Sequence, residues 1–576
     1  MVLTYKLNFI TLKVFTVFCE YFIGIMLIYI LAAVLLITSN VYGILIEKIL
    51  CEIAGFVMLC GYLLVINDNL QINLMANAFN SQFVFLMFNK FVNFNFFAKF
   101  SKLAVCFFLV LFFFSITEFL KFYKLTFFEY ILLLLFSSLG LVLICSANDF
   151  LTAFLSIELI SLCSYFLAAF KKNSNYSLEA GLKYFVVGAI SSSFFLLGSS
   201  FIYAYAGTIS LNDLKFLCTD PTKSLLFNNF FFLENFYFFS YLKLLQKDSM
   251  LMYKSYKFFV EIGIVFIVFS IFIKLALAPF HLWSLDVYEN APSISTFFFS
   301  TFTKLSLFVF LSRFCFCFQI YFSKFWLLIN LAVGFFSIFF GSFGGVKQKR
   351  IKTLLAYSSI SHMGYCLLAF NSFSIFGFEM LYFYLFTYVL SNIIIWCIIL
   401  SLVKFSTKGY TNYLAKNLSD FVLLHKSNKF LAFCLSLAFF SLAGIPPLIG
   451  FIAKFNVLLI LILQQYYTIS LLLVFCSVVS CFYYIRFIKV LYFENFVVGK
   501  LFQFKFKNIL IICVVSFSLI FLFFNPTLLY IFIHKMVLLQ NSTHKLDLTS
   551  DTALNFLIEP LALTNSNLIL KLIWVG

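Results

Sequence analysis

Four ionisable side chains interrupt otherwise apolar stretches of this 576-residue chain. Glu158 lies in LTAFLSIELISLCSYF, Lys274 in IFIKLALAPFHLW, Lys304 in STFFFSTFTKLSLFVF and Lys454 in SLAGIPPLIGFIAKF. A charge at a bilayer centre costs from about 3 to above 10 kcal/mol depending on the method, and by default it marks an ion or proton path. One acid and three lysines suggest proton transfer. Desolvation penalises the ammonium form of a lysine and a nearby carboxylate restores it, so a lysine in such a stretch can both hold and release a proton. The competing explanation is snorkelling, in which a long side chain carries its head to the interface. It suits Glu52, Glu129, Lys183, Glu261 and Glu379, which stand nearer the ends of apolar runs. It suits the short side chain of Glu158 least.

The prolines fall where the lysines do. Of the seven in the chain, Pro279 and Pro292 flank one site and Pro446 and Pro447 stand together at another. Proline removes a backbone donor and crowds the preceding turn. In lipid the freed carbonyls are tolerated only where they find protein partners or line a hydrated cavity. The run 430–465 is also too long for one straight crossing of a core that takes about 20 residues. Both facts predict interrupted helices, whose half-helix ends build ion sites in transporters. For the second site they predict that Lys454 points into the interior.

These residues need elements to carry them, and composition says which. The chain is 64% hydrophobic and 11% charged, with a mean hydropathy of +1.07, whereas soluble domains carry about 25% charged residues. About fourteen apolar runs approach the length of a membrane span: 21–38, 46–66, 102–118, 127–147, 150–170, 178–206, 258–280, 291–312, 321–344, 353–371, 376–403, 430–465, 468–490 and 508–533. The fold class is an all-α polytopic membrane protein. The first run lacks an A-x-A-like cleavage site and reads as a retained span. Stretches 67–101 and 207–257 read as extramembrane insertions, and the chain after His534 as a polar tail.

The 39 Lys+Arg exceed the 22 Asp+Glu by 17, which could suggest nucleic acid. Their distribution argues for topology instead. Lys171, Lys172, the Lys347–Lys352 cluster, Lys404, Lys416, Lys426, Arg486 and Lys489 fall on one side, leaving Arg313 and Lys324 on the other. By the positive-inside rule the basic side faces the cytoplasm or matrix and both termini face away. The fifteen cysteines are scattered without any C-x-x-C and the five histidines do not cluster. Such cysteines act as small hydrophobes, and iron–sulfur ligation needs grouped thiolates. No nucleotide, flavin or metal site is expected in this chain. Ninety phenylalanines beside scarce Gly and Pro suggest an AT-rich organelle genome.

Four stretches in order carry a resemblance: SIELISLCSYFLAAFKKNSNYSLEAGLKYFVVGAISS, IKLALAPFHLWSLDVYENAPSISTFFFSTFTK, IKTLLAYSSISHMGY and SLAGIPPLIGFIAKF. Together they resemble the antiporter-like membrane subunits of respiratory complex I, and DVYENAP after PFHLW is similar to the subunit-2 branch. The resemblance covers roughly 125–490. It implies two inverted five-helix repeats, with the seventh and twelfth spans discontinuous. The chain then divides at 1–126, 127–312 (first repeat), 313–490 (second repeat) and 491–576. It further implies a proton relay of Glu158, Lys274, Lys304, His362 and Lys454, with Glu158 and Lys274 as a buried pair and Lys454 on a polar line with His362 and Lys304, coupled to NADH:ubiquinone electron transfer. His362 serves equally well as a hydrogen-bonded interior histidine. NADH, FMN, iron–sulfur clusters and ubiquinone are then handled by other subunits. Lipids and other membrane-arm subunits, 4L and 4 among them, are the implied neighbours, in the mitochondrial inner membrane.

Three other readings share much of this pattern. They are a plastid NAD(P)H–plastoquinone oxidoreductase subunit, a cation/proton antiporter subunit and a purely structural membrane subunit. The buried charges count against the last.

Overall fold

The computed structural model describes residues 23–28, 43–76, 96–117, 119–122, 128–219, 249–318, 324–371, 374–401, 403–405, 412–414, 416–422, 424–494 and 506–541. A chain immersed in lipid must satisfy its backbone within each segment, which leaves the helix as the default. Sixteen-residue and longer apolar runs accordingly become α1 (Gly43–Ala76), α2 (Phe96–Ile116), α3 (Phe128–Ser146), α4 (Phe150–Ala168) and α5 (Asn175–Ala206). A short α6 (Leu211–Thr219) precedes α7 (Ser249–Leu275), α8 (Leu282–Asn290), α9 (Ser293–Cys317), α10 (Lys324–Val346), α11 (Ile351–Phe370) and α12 (Ile375–Ser401). The chain continues with α13 (Lys429–Ala443), α14 (Ile449–Leu463), α15 (Tyr467–Tyr492), α16 (Phe506–Phe524) and α17 (Thr527–Asn541). Among the described residues nine helices are long and apolar enough to cross a membrane, or ten if α16 and α17 count as one bent span.

Several sequence expectations are corrected. The supposed insertion 67–101 is helical at both ends, because α1 runs on to Ala76 and α2 starts at Phe96. Likewise α6 and the start of α7 occupy parts of 207–257. Residues 77–95 and 220–248 lie outside the described residues, as do most of 21–38 and the tail from 542. Hydropathy locates the part of a helix that meets lipid, and a helix can continue past it into water. The run 508–533 is not one straight helix: α16 and α17 meet at Asn525–Pro526 and diverge by 86°. The missing proline N–H explains the break, and the chain stays helical past His534. One antiparallel ribbon, Val403–Phe405 with Asn412–Leu414, departs from an all-helical fold. Arg313 is not a loop charge. It is buried in α9, 6% exposed, and donates through Nη1 to the Cys145 carbonyl at the end of α3 at 2.9 Å.

The repeat is visible in the backbone. At the start of α4, Phe150 N–H donates to Ile209 O and Leu211 N–H to Asn148 O, tying the entry of one helix to the exit of the next. At the start of α11, Ile351 N–H donates to Lys416 O and Leu418 N–H to Lys349 O, in the same arrangement around α11 and α12. Counting crossings from α4 to α11 puts these two clasps at opposite ends of the bundle. The same device at opposite ends is an inverted repeat.

The helix α9 lies at the centre and α12 is almost as enclosed, whereas α5 and α15 form the flanks. The basic loops converge at one end. There Arg350 pairs with Glu289, Lys352 Nζ donates to Ala291 O at 2.6 Å, and Lys183 pairs with Asp286 at 2.7 Å. Lys171, in the α4–α5 loop, is held below the usual lysine range by burial and by the neighbouring Lys416 charge.

Candidate functional site

Two broken helices frame the site. The first ends at Leu275, and Ala276 adopts φ 58° before the chain resumes as α8. The last carbonyls of a helix have no intrahelical partner, and here the Trp283 indole N–H donates to Ile273 O at 2.9 Å. The second break separates α13 from α14. Gly444, at φ 81°, turns the chain into the left-handed region, which a residue without Cβ enters at little cost. Its N–H and that of Ile445 close the α13 C-terminus onto Phe440 and Ser441 carbonyls. The next orphan, Ala443 O, accepts from Lys454 Nζ at 2.9 Å. Gly450 lets α14 lie against that same end, since a Cβ there would stand 1.8 Å from Ser441 O.

Both lysines therefore serve the C-terminal end of a half-helix. Lys274 occupies the last turn of α7, and Lys454 reaches back across the break to the end of α13. Unpaired carbonyls give such an end about half a negative charge, which favours a cation. The sequence expectation that the twelfth span is interrupted, with Lys454 turned inward, matches this geometry: Lys454 is 8% exposed. It lines a small polar cavity with His362, Tyr384, Thr387, Ser391 and Ser441, with room for about one water molecule.

His362, on α11, is fully engaged. Its Nδ1 shares a hydrogen bond with the Tyr384 hydroxyl at 2.8 Å and its Nε2 with the Tyr484 hydroxyl at 3.1 Å. His362 and Lys454 line the same small cavity. Lys304 sits in the middle of α9, 2% exposed, with no hydrogen-bond partner for Nζ.

The Glu158–Lys274 pair differs from the expected ion pair. Glu158 Oε2 accepts from Ser161 Oγ at 3.2 Å, while Glu158 Oε1 and Lys274 Nζ are buried without a hydrogen-bond partner. Their helices both pack on α5 and α9. What lies beneath the ammonium is Tyr165, two turns along α4 from Glu158, with its ring centroid 5.9 Å from Nζ.

Tyrosines are the residues the sequence reading missed. Lys304 Nζ stands 5.7 Å from the Tyr288 ring and Lys454 Nζ 5.5 Å from the Tyr365 ring. All three lysines thus sit within the roughly 6 Å reach of a cation–π contact. Between α4, α5 and α8, Tyr165 meets Tyr184 edge to face at 4.9 Å and Tyr184 stacks on Trp283 at 4.8 Å. A signal existed: in a chain using 90 phenylalanines, a tyrosine at a buried position adds a hydroxyl that costs free energy unless it is bonded. Glu379 was also misjudged. It is not a snorkelling acid: its side chain is 13% exposed and bonds to His534 Nδ1 at 2.6 Å.

Buried ammonium groups, a tyrosine-bound imidazole and a carboxylate, each on a different helix, can pass protons but hold no feature suited to nucleotide chemistry. Among the described residues no group of three or more His, Cys, Asp or Glu side chains could hold a metal ion. Residues 147–480 match the family model described as "NADH:quinone oxidoreductase/Mrp antiporter, TM". The chain is 34% identical to NADH-ubiquinone oxidoreductase chain 2 of Marchantia polymorpha over 412 residues, 71% of this chain and 77% of that one. It is 36% identical to NADH-quinone oxidoreductase subunit N of Coxiella burnetii over 64% of this chain and 68% of that one. Its fold is similar to a chain in the structure of respiratory complex I from Thermus thermophilus. There the TM-score is 0.66 at 20% identity, covering 89% of this chain and 98% of that one.

Proposed function

Since this chain belongs to the NADH:quinone oxidoreductase/Mrp antiporter membrane family, we propose that it moves protons across a membrane as part of a proton-pumping NADH:ubiquinone oxidoreductase. The supporting observation is the set of buried protonatable side chains on the helices around the two breaks: Lys304, His362 and Lys454, with the enclosed Lys274 ammonium at the first break. Glu158 sets the charge state of Lys274 from α4. Lys454 alternates between donating to Ala443 O as an ammonium and, after losing a proton, presenting a neutral amine to the next donor. Redox energy enters from other subunits, as membership of the NADH:quinone oxidoreductase/Mrp antiporter membrane family suggests. The organelle-type composition and the relative from Marchantia support the mitochondrial inner membrane. Exposed apolar faces on α5 (Leu182, Phe185, Val186) and α15 (Val474, Val478, Phe482) suit lipid and neighbouring membrane-arm subunits, 4L and 4 among them.

Two measurements test this reading. Glu158→Gln removes one charge from a poorly hydrated site, where losing about 1.4 kcal/mol of interaction is worth a factor of ten in rate. NADH-driven proton pumping by the assembled complex should fall about tenfold, and wild-type pumping in Glu158→Gln or Lys274→Ala would count against the relay. Topology has its own test. A cysteine placed at Gln348, beside the basic cluster, should react with a membrane-impermeant maleimide only from the matrix side. Labelling from the intermembrane space would reverse the orientation.

A further inference from the structure

The relay as described has no route out of the bundle on the face opposite the basic loops. Helix α12 supplies one. Its residues Tyr384, Thr387 and Ser391 line the Lys454 cavity, and Glu379 lies five residues earlier, about 7–8 Å along the axis toward that opposite face. The intervening turn is closed by Phe383, whose ring stacks on Tyr530 of α17 at 4.7 Å and 15°. The Tyr530 hydroxyl accepts from Asn456 Nδ2 at 2.7 Å, and Asn456 stands two residues from Lys454 on α14. One turn along α17, His534 hydrogen-bonds Glu379 at 2.6 Å and is 43% exposed.

The helix α17 is placed for this task by its 86° bend from α16. Lying across the bundle end, it packs against α2 and α12. Its Ile533, Met536 and Val537 are buried, while Leu528, Ile531 and Leu538 are exposed on the other side. An acid–base pair at such a site needs a reason, because a carboxylate that is 13% exposed loses most of its hydration.

We propose that Glu379 and His534 form the outlet of the relay, the pair that takes the proton leaving Lys454 and delivers it to the aqueous phase opposite the basic loops. The inference rests on the proton-relay reading above. In the forward step a Lys454 N–H bond breaks and the amine becomes neutral. The proton passes by the Tyr530 hydroxyl and water to the Glu379 carboxylate, which becomes an acid. Glu379 then protonates His534 and returns to carboxylate, and the imidazolium releases its proton to water. No other reactant is consumed.

The test is proton pumping and NADH oxidation measured per assembled complex in membrane vesicles. Glu379→Gln and His534→Gln should each lower pumping by roughly tenfold or more, as loss of a positioned acid or base does. Glu379→Asp should retain most of it, and Lys535→Ala, an exposed neighbour, should match the unsubstituted complex. If Glu379→Asp fails as badly as Glu379→Gln, the pair only holds α17 in place and the assignment is overturned. Normal pumping in both glutamine variants beside an impaired Lys454→Met would put the outlet elsewhere and leave the relay standing. Normal pumping in all three would remove relay and outlet together.

Discussion

Replacing Lys454 with methionine should reduce NADH-driven proton transport by the complex by about a hundredfold or more, the usual scale for losing a positioned proton carrier. Methionine fills a similar volume in the interior, so the bundle should assemble. What it cannot do is carry a proton, or donate to Ala443 O as Lys454 does at 2.9 Å. These two losses are separable. Glutamine at 454 can donate a hydrogen bond to the carbonyl but cannot shuttle a proton at neutral pH. If Lys454 only closes the end of α13, Lys454→Gln should pump nearly as well as the unsubstituted complex. If it carries protons, glutamine should fail as methionine does. Proton uptake by dye quenching, normalised to complex content, distinguishes the two outcomes. Lys454→Arg should keep the hydrogen bond and the charge yet transfer protons poorly, because a guanidinium does not deprotonate in proteins.

The second large effect concerns stability. Gly450→Ala should destabilise the α13–α14 junction by about 3 kcal/mol or more, at or beyond the upper end of ordinary overpacking. The added Cβ would meet backbone atoms of Ser441: the carbonyl oxygen at 1.8 Å, its carbon at 2.6 Å and the Cα at 3.2 Å. No rotamer change relieves a clash with backbone, so α14 must move away from α13. That motion also withdraws Lys454 from Ala443 and reshapes the wall that Gly450 and Ala453 give the cavity. Thermal inactivation and native-gel abundance of the complex should both fall. A variant with unchanged melting and pumping would show that the two half-helices are not held at this contact.

The class of the protein, the positions of most helices and the interruption at Pro446–Pro447 follow from the sequence. Each depends on a local quantity: apolar length against membrane thickness, or a missing backbone donor. The same holds for Lys304 and Lys454, whose depth along their helices suffices to make their charges costly. Tertiary structure decided everything that depends on direction around a helix and on which helix lies opposite. Glu158 and Lys274 read as partners, yet the carboxylate turns to Ser161 and the ammonium lies over Tyr165, because α5 and α9 set the distance between their helices. Arg313 read as a loop charge and proved to be a buried tie to α3, since the end of a hydropathy run does not say where the helix ends. Glu379 read as a surface acid, and only the 86° turn after α16 brings His534 onto it from 155 residues away. Axial depth is written in the order of residues, whereas facing and neighbours arise only when side chains from distant segments compete for the same interior volume.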